Sequence, residues 1–96
     1  MAQITQQDER WQVNGPMTVQ QAKALLAEGV LPVGGNLEID LSGVSDVDTA
    51  ALSLLFEWMR RAAARNCQLT FAHLPENLAS LATLYGVLDL IPHSSH

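Results

Sequence analysis

The sequence predicts an α/β domain built on a mixed, mostly parallel sheet with helices packed on one face. Leu37, Ile39 and Leu41 alternate with Glu38 and Asp40, the period-two signature of a half-buried strand. Thr49 to Arg65 carries apolar residues at helical spacing instead. Strand-like and helix-like segments then alternate along the chain, which implies parallel pairing through a right-handed crossover. A sheet covered on both sides reads as a continuous apolar run, and Leu37–Leu41 does not, so the helices are expected on one side only.

At the N-terminus, Ile4 and then Trp11 and Val13 mark two short strands, followed by a turn at Gly15-Pro16. Thr18-Val19-Gln20-Gln21 has the form of a capping box and opens the first helix, in which Val19, Ala22, Leu25 and Leu26 recur at helical spacing. Gly29 and Pro32 stop it. A Gly34-Gly35-Asn36 turn leads into the Leu37–Leu41 strand. In the long helix Leu52, Leu55, Phe56, Met59 and Ala63 form the expected buried stripe. Asp46 and Asp48 precede its positive end, and Arg60, Arg61 and Arg65 lie towards its negative end. Cys67, Leu69 and Phe71 alternate in the next strand. Pro75 opens a third helix with Leu78, Leu81, Ala82 and Tyr85 on its core face, and Gly86 ends it.

The 96 residues are 48% apolar, enough to build one core, so a single domain over 1–96 is expected. The formal net charge is −5, from five basic against ten acidic side chains. No basic stripe is available to displace counterions from nucleic acid, and no polybasic segment to attract an anionic bilayer; a basic protein partner remains compatible. The lone Cys67 suits a reducing compartment. The polar, acidic start is not a signal peptide, and no apolar run approaches the roughly 20 residues of a spanning helix. A cytoplasmic protein without direct membrane insertion is expected.

Catalytic chemistry is not signalled. There is neither a Gly-x-x-x-x-Gly-Lys-Ser/Thr loop nor a Gly-x-Gly-x-x-Gly turn to cradle a nucleotide. His73 stands alone at a strand end, and His93 and His96 fall in a terminus expected to fray. Asp40, Asp46 and Asp48 are too sparse for a calcium loop and read better as turn and capping residues. Cys67 has no cationic neighbour in sequence to activate it. No catalytic residue, cofactor or metal is therefore expected, and the protein is not expected to be an enzyme.

The run Ile39-Asp40-Leu41-Ser42-Gly43-Val44-Ser45-Asp46-Val47-Asp48-Thr49-Ala50-Ala51-Leu52-Ser53-Leu54-Leu55 resembles the signature of STAS domains, the family of anti-sigma factor antagonists and sulfate-transporter tails. In that family a strand ends in an Asp-Leu-Ser type sequence, a short loop follows, and an Asp-Ser or Asp-Thr pair opens the next helix; here the pair is Asp48-Thr49. Ala50 and Ala51 stand where glycines are common. Val44-Ser45, Val47-Asp48-Thr49 and Leu81-Ala82-Thr83-Leu84-Tyr85 before Val87-Leu88 resemble the MlaB branch of the family, the small STAS subunits of Mla-type phospholipid ABC transporters. That resemblance implies a STAS-like fold and a non-catalytic accessory subunit. Its partner would be the cytoplasmic ATPase (MlaF-like) of a transporter, itself in complex with a membrane permease. The function implied is to support assembly or activity in a system that maintains outer-membrane lipid asymmetry. The chain would then be peripheral to the inner membrane through its protein partner. The sigma-antagonist branch implies the alternative, a regulator switched by phosphorylation of Thr49.

Thr49 has two physical uses at a helix start: as a cap worth about 1 kcal/mol, or as an exposed contact or phosphorylation site. Leu54 and Trp58, four apart and beside the predicted core stripe, either extend a contact surface edged by Arg61 or cover the margin of the core. The expected partner-binding set is Asp48, Thr49, Ala50, Leu54, Trp58 and Arg61.

Overall fold

The computed structural model describes residues 3–93; Ser94, Ser95 and His96, part of the terminus expected to fray, lie outside them. Strands β1 (Gln3–Gln7) and β2 (Arg10–Met17) lead into helix α1 (Val19–Glu28) and strand β3 (Asn36–Val47). Helix α2 (Thr49–Ala64), strand β4 (Gln68–Ala72), helix α3 (Glu76–Leu84) and a single 3₁₀ turn (Leu88–Leu90) complete the chain. The sheet order is β1-β2-β3-β4. The β1–β2 pair is antiparallel, and β2–β3 and β3–β4 are parallel, each joined through a helix.

Alternation divides the sheet as the sequence predicts. Val13, Leu37, Ile39, Leu41 and Phe71 point into the helical layer and are fully buried or nearly so. Glu38 and Asp40 face the other way, where Arg10 donates one guanidinium N–H to Glu38 Oε1 (2.7 Å) and another to Asp40 Oδ2 (2.8 Å).

Two strands run further than expected. The turn placed at Gly15-Pro16 is part of β2, which continues past register shifts at Gln12/Asn14 and Gly15/Met17. The second irregularity skips Pro16, which has no N–H to give a ladder. Because β2 continues, β3 keeps a partner beyond Ser42, pairing Gly43 with Asn14, Val44 with Gly15 and Val47 with Met17. The segment expected as a loop before α2 is thus strand almost to the helix.

The helix boundaries follow their caps. Gln21 Oε1 accepts the Thr18 backbone N–H (3.3 Å), and the Thr18 hydroxyl lies against the same oxygen. After α2, Asn66 adopts a left-handed φ of 56°, with Cys67 N–H donating to Ala62 O (2.9 Å) and Asn66 N–H to Ala63 O (3.2 Å). The same two-bond arrangement ends α3, where Val87 N–H reaches Ala82 O (2.9 Å) and Gly86 N–H reaches Thr83 O (3.0 Å). At the far edge of the sheet, Phe71 N–H donates to Pro92 O (2.8 Å), and His93 forms an isolated parallel bridge with Phe71.

The buried face of α2 is rotated from the predicted one. Ala51, Leu54, Leu55, Trp58 and Ala62 face the core, with Leu52 beside them; Phe56 and Met59 are half-buried and Ala63 is exposed. Two other residues of the helical patterns are outside. Val19, at the first turn of α1, is 70% exposed, and Tyr85, at the end of α3, is 57% exposed.

Candidate partner-binding site

Asp48 organises the start of α2. It is the N-cap, extended at φ −140°, and its Oδ1 accepts the Ala50 N–H at 2.8 Å. Its second oxygen, Oδ2, accepts the Val19 N–H of α1 at 3.0 Å. One carboxylate therefore fills the first turns of two helices, where free N–H groups and the helix dipoles both favour a negative group. Both oxygens of Asp48, which was expected as a partner contact, thus serve backbone donors within the chain.

Thr49 is left free by that arrangement. It occupies the first helical position and is exposed, and its hydroxyl has no hydrogen-bond partner among the described residues. The capping alternative for Thr49 is thereby removed, since the cap is Asp48. Asp46 is exposed in the approach to the helix and Ala50 is half-buried. One turn further on, Ser53 is exposed, and its hydroxyl donates to Thr49 O at 3.5 Å, a long contact.

The Thr49–Ser53 ridge stands between two shallow grooves. On one side α1 contributes Ala22, Lys23 and Leu26, and α2 contributes Ala50, Ser53, Leu54 and Glu57, around about 400 Å³. On the other, Thr49, Leu52, Ser53 and Phe56 face Tyr85 and Val87 around about 380 Å³. The second groove brings exposed Tyr85 to the Thr49 side of the molecule. Sequence reasoning assigned Tyr85 to the core because it continues the Leu78–Ala82 spacing; helix α3 ends at Leu84, so the spacing no longer sets where the next side chain points.

Trp58 does not form the contact surface expected of it, and Leu54 reaches that surface only as a nearly buried lining residue of the α1–α2 groove. Trp58 is fully buried, its ring 6.0 Å from Trp11 in an edge-to-face pair, and Leu54 is 3% exposed. The sheet claims the Ala51–Leu54–Leu55–Trp58 side of α2, so both belong to the core. Arg61 is exposed but not brought to Thr49. It lies twelve residues further along the helix, about 18 Å at 1.5 Å per residue, and its Nε donates to Glu57 Oε2 at 2.9 Å. Arg60 shares the same carboxylate, and the two arginines, Arg60 first, hold Glu57 below the ordinary carboxylate range.

Asp40 and Cys67 are set by their surroundings in opposite directions. Burial pushes the Asp40 carboxyl up, but the Ser42 N–H (2.9 Å), the Arg10 guanidinium and the charge of His73 outweigh it and hold it below the ordinary range. Burial raises the Cys67 thiol, which moves it away from nucleophilic use. Among the described residues no group of three or more His, Cys, Asp or Glu side chains could hold a metal ion. No helix among them is long and apolar enough to cross a membrane.

Comparison with solved structures agrees with this architecture. The unphosphorylated anti-sigma factor antagonist SpoIIAA superposes with a TM-score of 0.68 at 11% identity, over 100% of this chain and 89% of that one. An anti-sigma-factor antagonist (STAS) domain protein from Planctomyces limnophilus gives 0.70 at 13% identity, over 99% and 90%. A Ser-to-Glu variant of RsbS from Moorella thermoacetica gives 0.61 at 23% identity, over 99% and 86%. At these identities the likeness is one of fold. No similar sequence was found among curated proteins. The family model described as "Mlab, STAS domain" matches residues 1–92, and with the mixed sheet, its helical layer and the Asp48-Thr49 helix start in place, the chain belongs to the STAS family in its MlaB-type form.

Proposed function

We propose that this chain is a non-catalytic accessory subunit that binds the cytoplasmic ATPase of an Mla-type phospholipid ABC transporter through the surface around Thr49. The MlaB-type family match supports the partner class. The observation that carries the choice of surface is the division of labour at the start of α2. Asp48 does the capping, so the exposed Thr49 hydroxyl is uncommitted and stands between two grooves. Docking there would place the subunit beside the permease-bound ATPase at the inner membrane.

Co-purification from a host that carries the transporter tests this reading. The wild-type chain is expected to bring down an ABC ATPase with its permease, and Thr49→Glu is expected to abolish the association. The same variant should melt at the wild-type temperature or slightly above, because a carboxylate in the first turn of a helix stabilises it by roughly 0.3–1 kcal/mol. Recovery of a histidine-kinase-like ATPase instead would move the function to the sigma-antagonist branch. Unfolding of Thr49→Glu would make position 49 structural and place the contact elsewhere.

A further inference from the structure

We infer that Asp48 is a positioning residue, a strut that joins the N-termini of α1 and α2 and sets the width of the groove beside Thr49. This inference rests on the proposed docking surface. The two walls of that groove come from different helices, Ala22, Lys23 and Leu26 from α1 and Ala50, Ser53, Leu54 and Glu57 from α2. At its head both helices start against one carboxylate, with the Val19 N–H at 3.0 Å from Oδ2 and the Ala50 N–H at 2.8 Å from Oδ1. Charged hydrogen bonds are the strong class of such contacts, and each helix here offers otherwise orphan donors. Removing the α1 bond leaves the groove head held by the Met17–Val47 strand pairing behind it and by side-chain packing.

The strut can be cut without touching the cap. Proline at the first helical position has the φ that position needs and lacks only an N–H that the helix itself does not use. Val19 is that position, its side chain is largely exposed, and the preceding Thr18 is already extended (φ −111°, ψ 178°), as a residue before proline must be. Val19→Pro thus deletes the α1 half of the strut while leaving Asp48 on Ala50. Val19→Ala controls for the lost side chain. Asp48→Ser approaches from the other end, since serine is a good N-cap but has a single side-chain oxygen.

Two measurements test the inference. In the free chain, spin labels at Lys23→Cys and Glu57→Cys, in a Cys67→Ser background, report the distance across the groove. Val19→Pro and Asp48→Ser should broaden that distribution relative to wild type and Val19→Ala. In the complex, Val19→Pro should weaken ATPase binding about tenfold, or roughly 1.4 kcal/mol, with Val19→Ala near wild type. An unchanged distance distribution in Val19→Pro overturns the strut, whether or not a partner is found. Unchanged affinity in that variant, when Thr49→Glu abolishes binding, overturns its role in docking and leaves the Thr49 surface standing. If the wild-type chain binds no ABC ATPase, the proposed partner is wrong and the docking half of the inference fails with it, while the distance measurement still judges the strut.

Discussion

Trp58 separates a core residue from a contact residue by magnitude. Its side chain is fully buried and stacks edge-on with Trp11 at 6.0 Å and 80°. An aromatic side chain buries about 150–250 Å², which at about 25 cal/mol per Å² amounts to about 4–6 kcal/mol. Measured truncations of such residues cost roughly 3–5 kcal/mol, and Trp58→Ala is expected near 4 kcal/mol. That is a large part of the roughly 5–15 kcal/mol that holds a domain together. With an m value of about 2 kcal/mol/M, the urea midpoint followed by far-ultraviolet circular dichroism should fall by about 2 M. Trp58→Phe should behave differently. The indole Nε1 is buried with no partner among the described residues, and an unsatisfied buried donor costs about 1–3 kcal/mol. Phenylalanine removes that penalty while surrendering a smaller apolar area, so its stability should lie within about 1 kcal/mol of wild type. A Trp58→Ala protein that loses partner binding but less than about 1 kcal/mol of stability would refute the burial argument and restore Trp58 to the contact surface.

Gly43→Ala should destabilise the domain by about 1–3 kcal/mol, the cost of overpacking, in the same urea experiment. A Cβ there meets the Asn14 side chain, with Cγ at 2.9 Å, and the Val13 carbonyl at 3.0 Å, where β2 and β3 pair; an unchanged midpoint would mean that Asn14 simply swings away. Acid titration should show Asp40. Its folded-state pKa lies below its unfolded value of about 3.9, so its contribution is complete above that value and is lost as pH falls through the folded value. Asp40→Asn should flatten the difference between stability at pH 6 and at pH 3, and equal slopes for the two proteins would contradict the Arg10–Asp40–Ser42 arrangement.

Local signals with one physical meaning were readable from the sequence. The alternation in Leu37–Leu41, the start of α1 at Thr18 and the stop at Gly86 each depend on neighbours a few residues away, and each is where expected. Helix α2 was harder because it is apolar on more than one side. Leu52–Phe56–Met59 and Ala51–Leu54–Leu55–Trp58–Ala62 are both credible stripes, and only the placement of sheet, α1 and α3 around the helix chooses between them. That rotation is why Leu54 and Trp58 were candidates for the surface. The continuation of β2 through Pro16 was hidden for a similar reason, since a local turn signal was overridden by a partner strand far along the chain. Thr49 was singled out through its motif, but the reach of Asp48 to Val19 spans 29 residues and leaves no periodic trace.

The bond from Phe71 to Pro92 bears on how the protein behaves in a crowded solution. A sheet margin with free amides is an invitation to any passing strand, and this one belongs to a segment containing Leu69 and Phe71. Pro92 and His93 lie against Phe71, towards the C-terminal end of that margin, and so shorten the length of edge open to pairing with another strand.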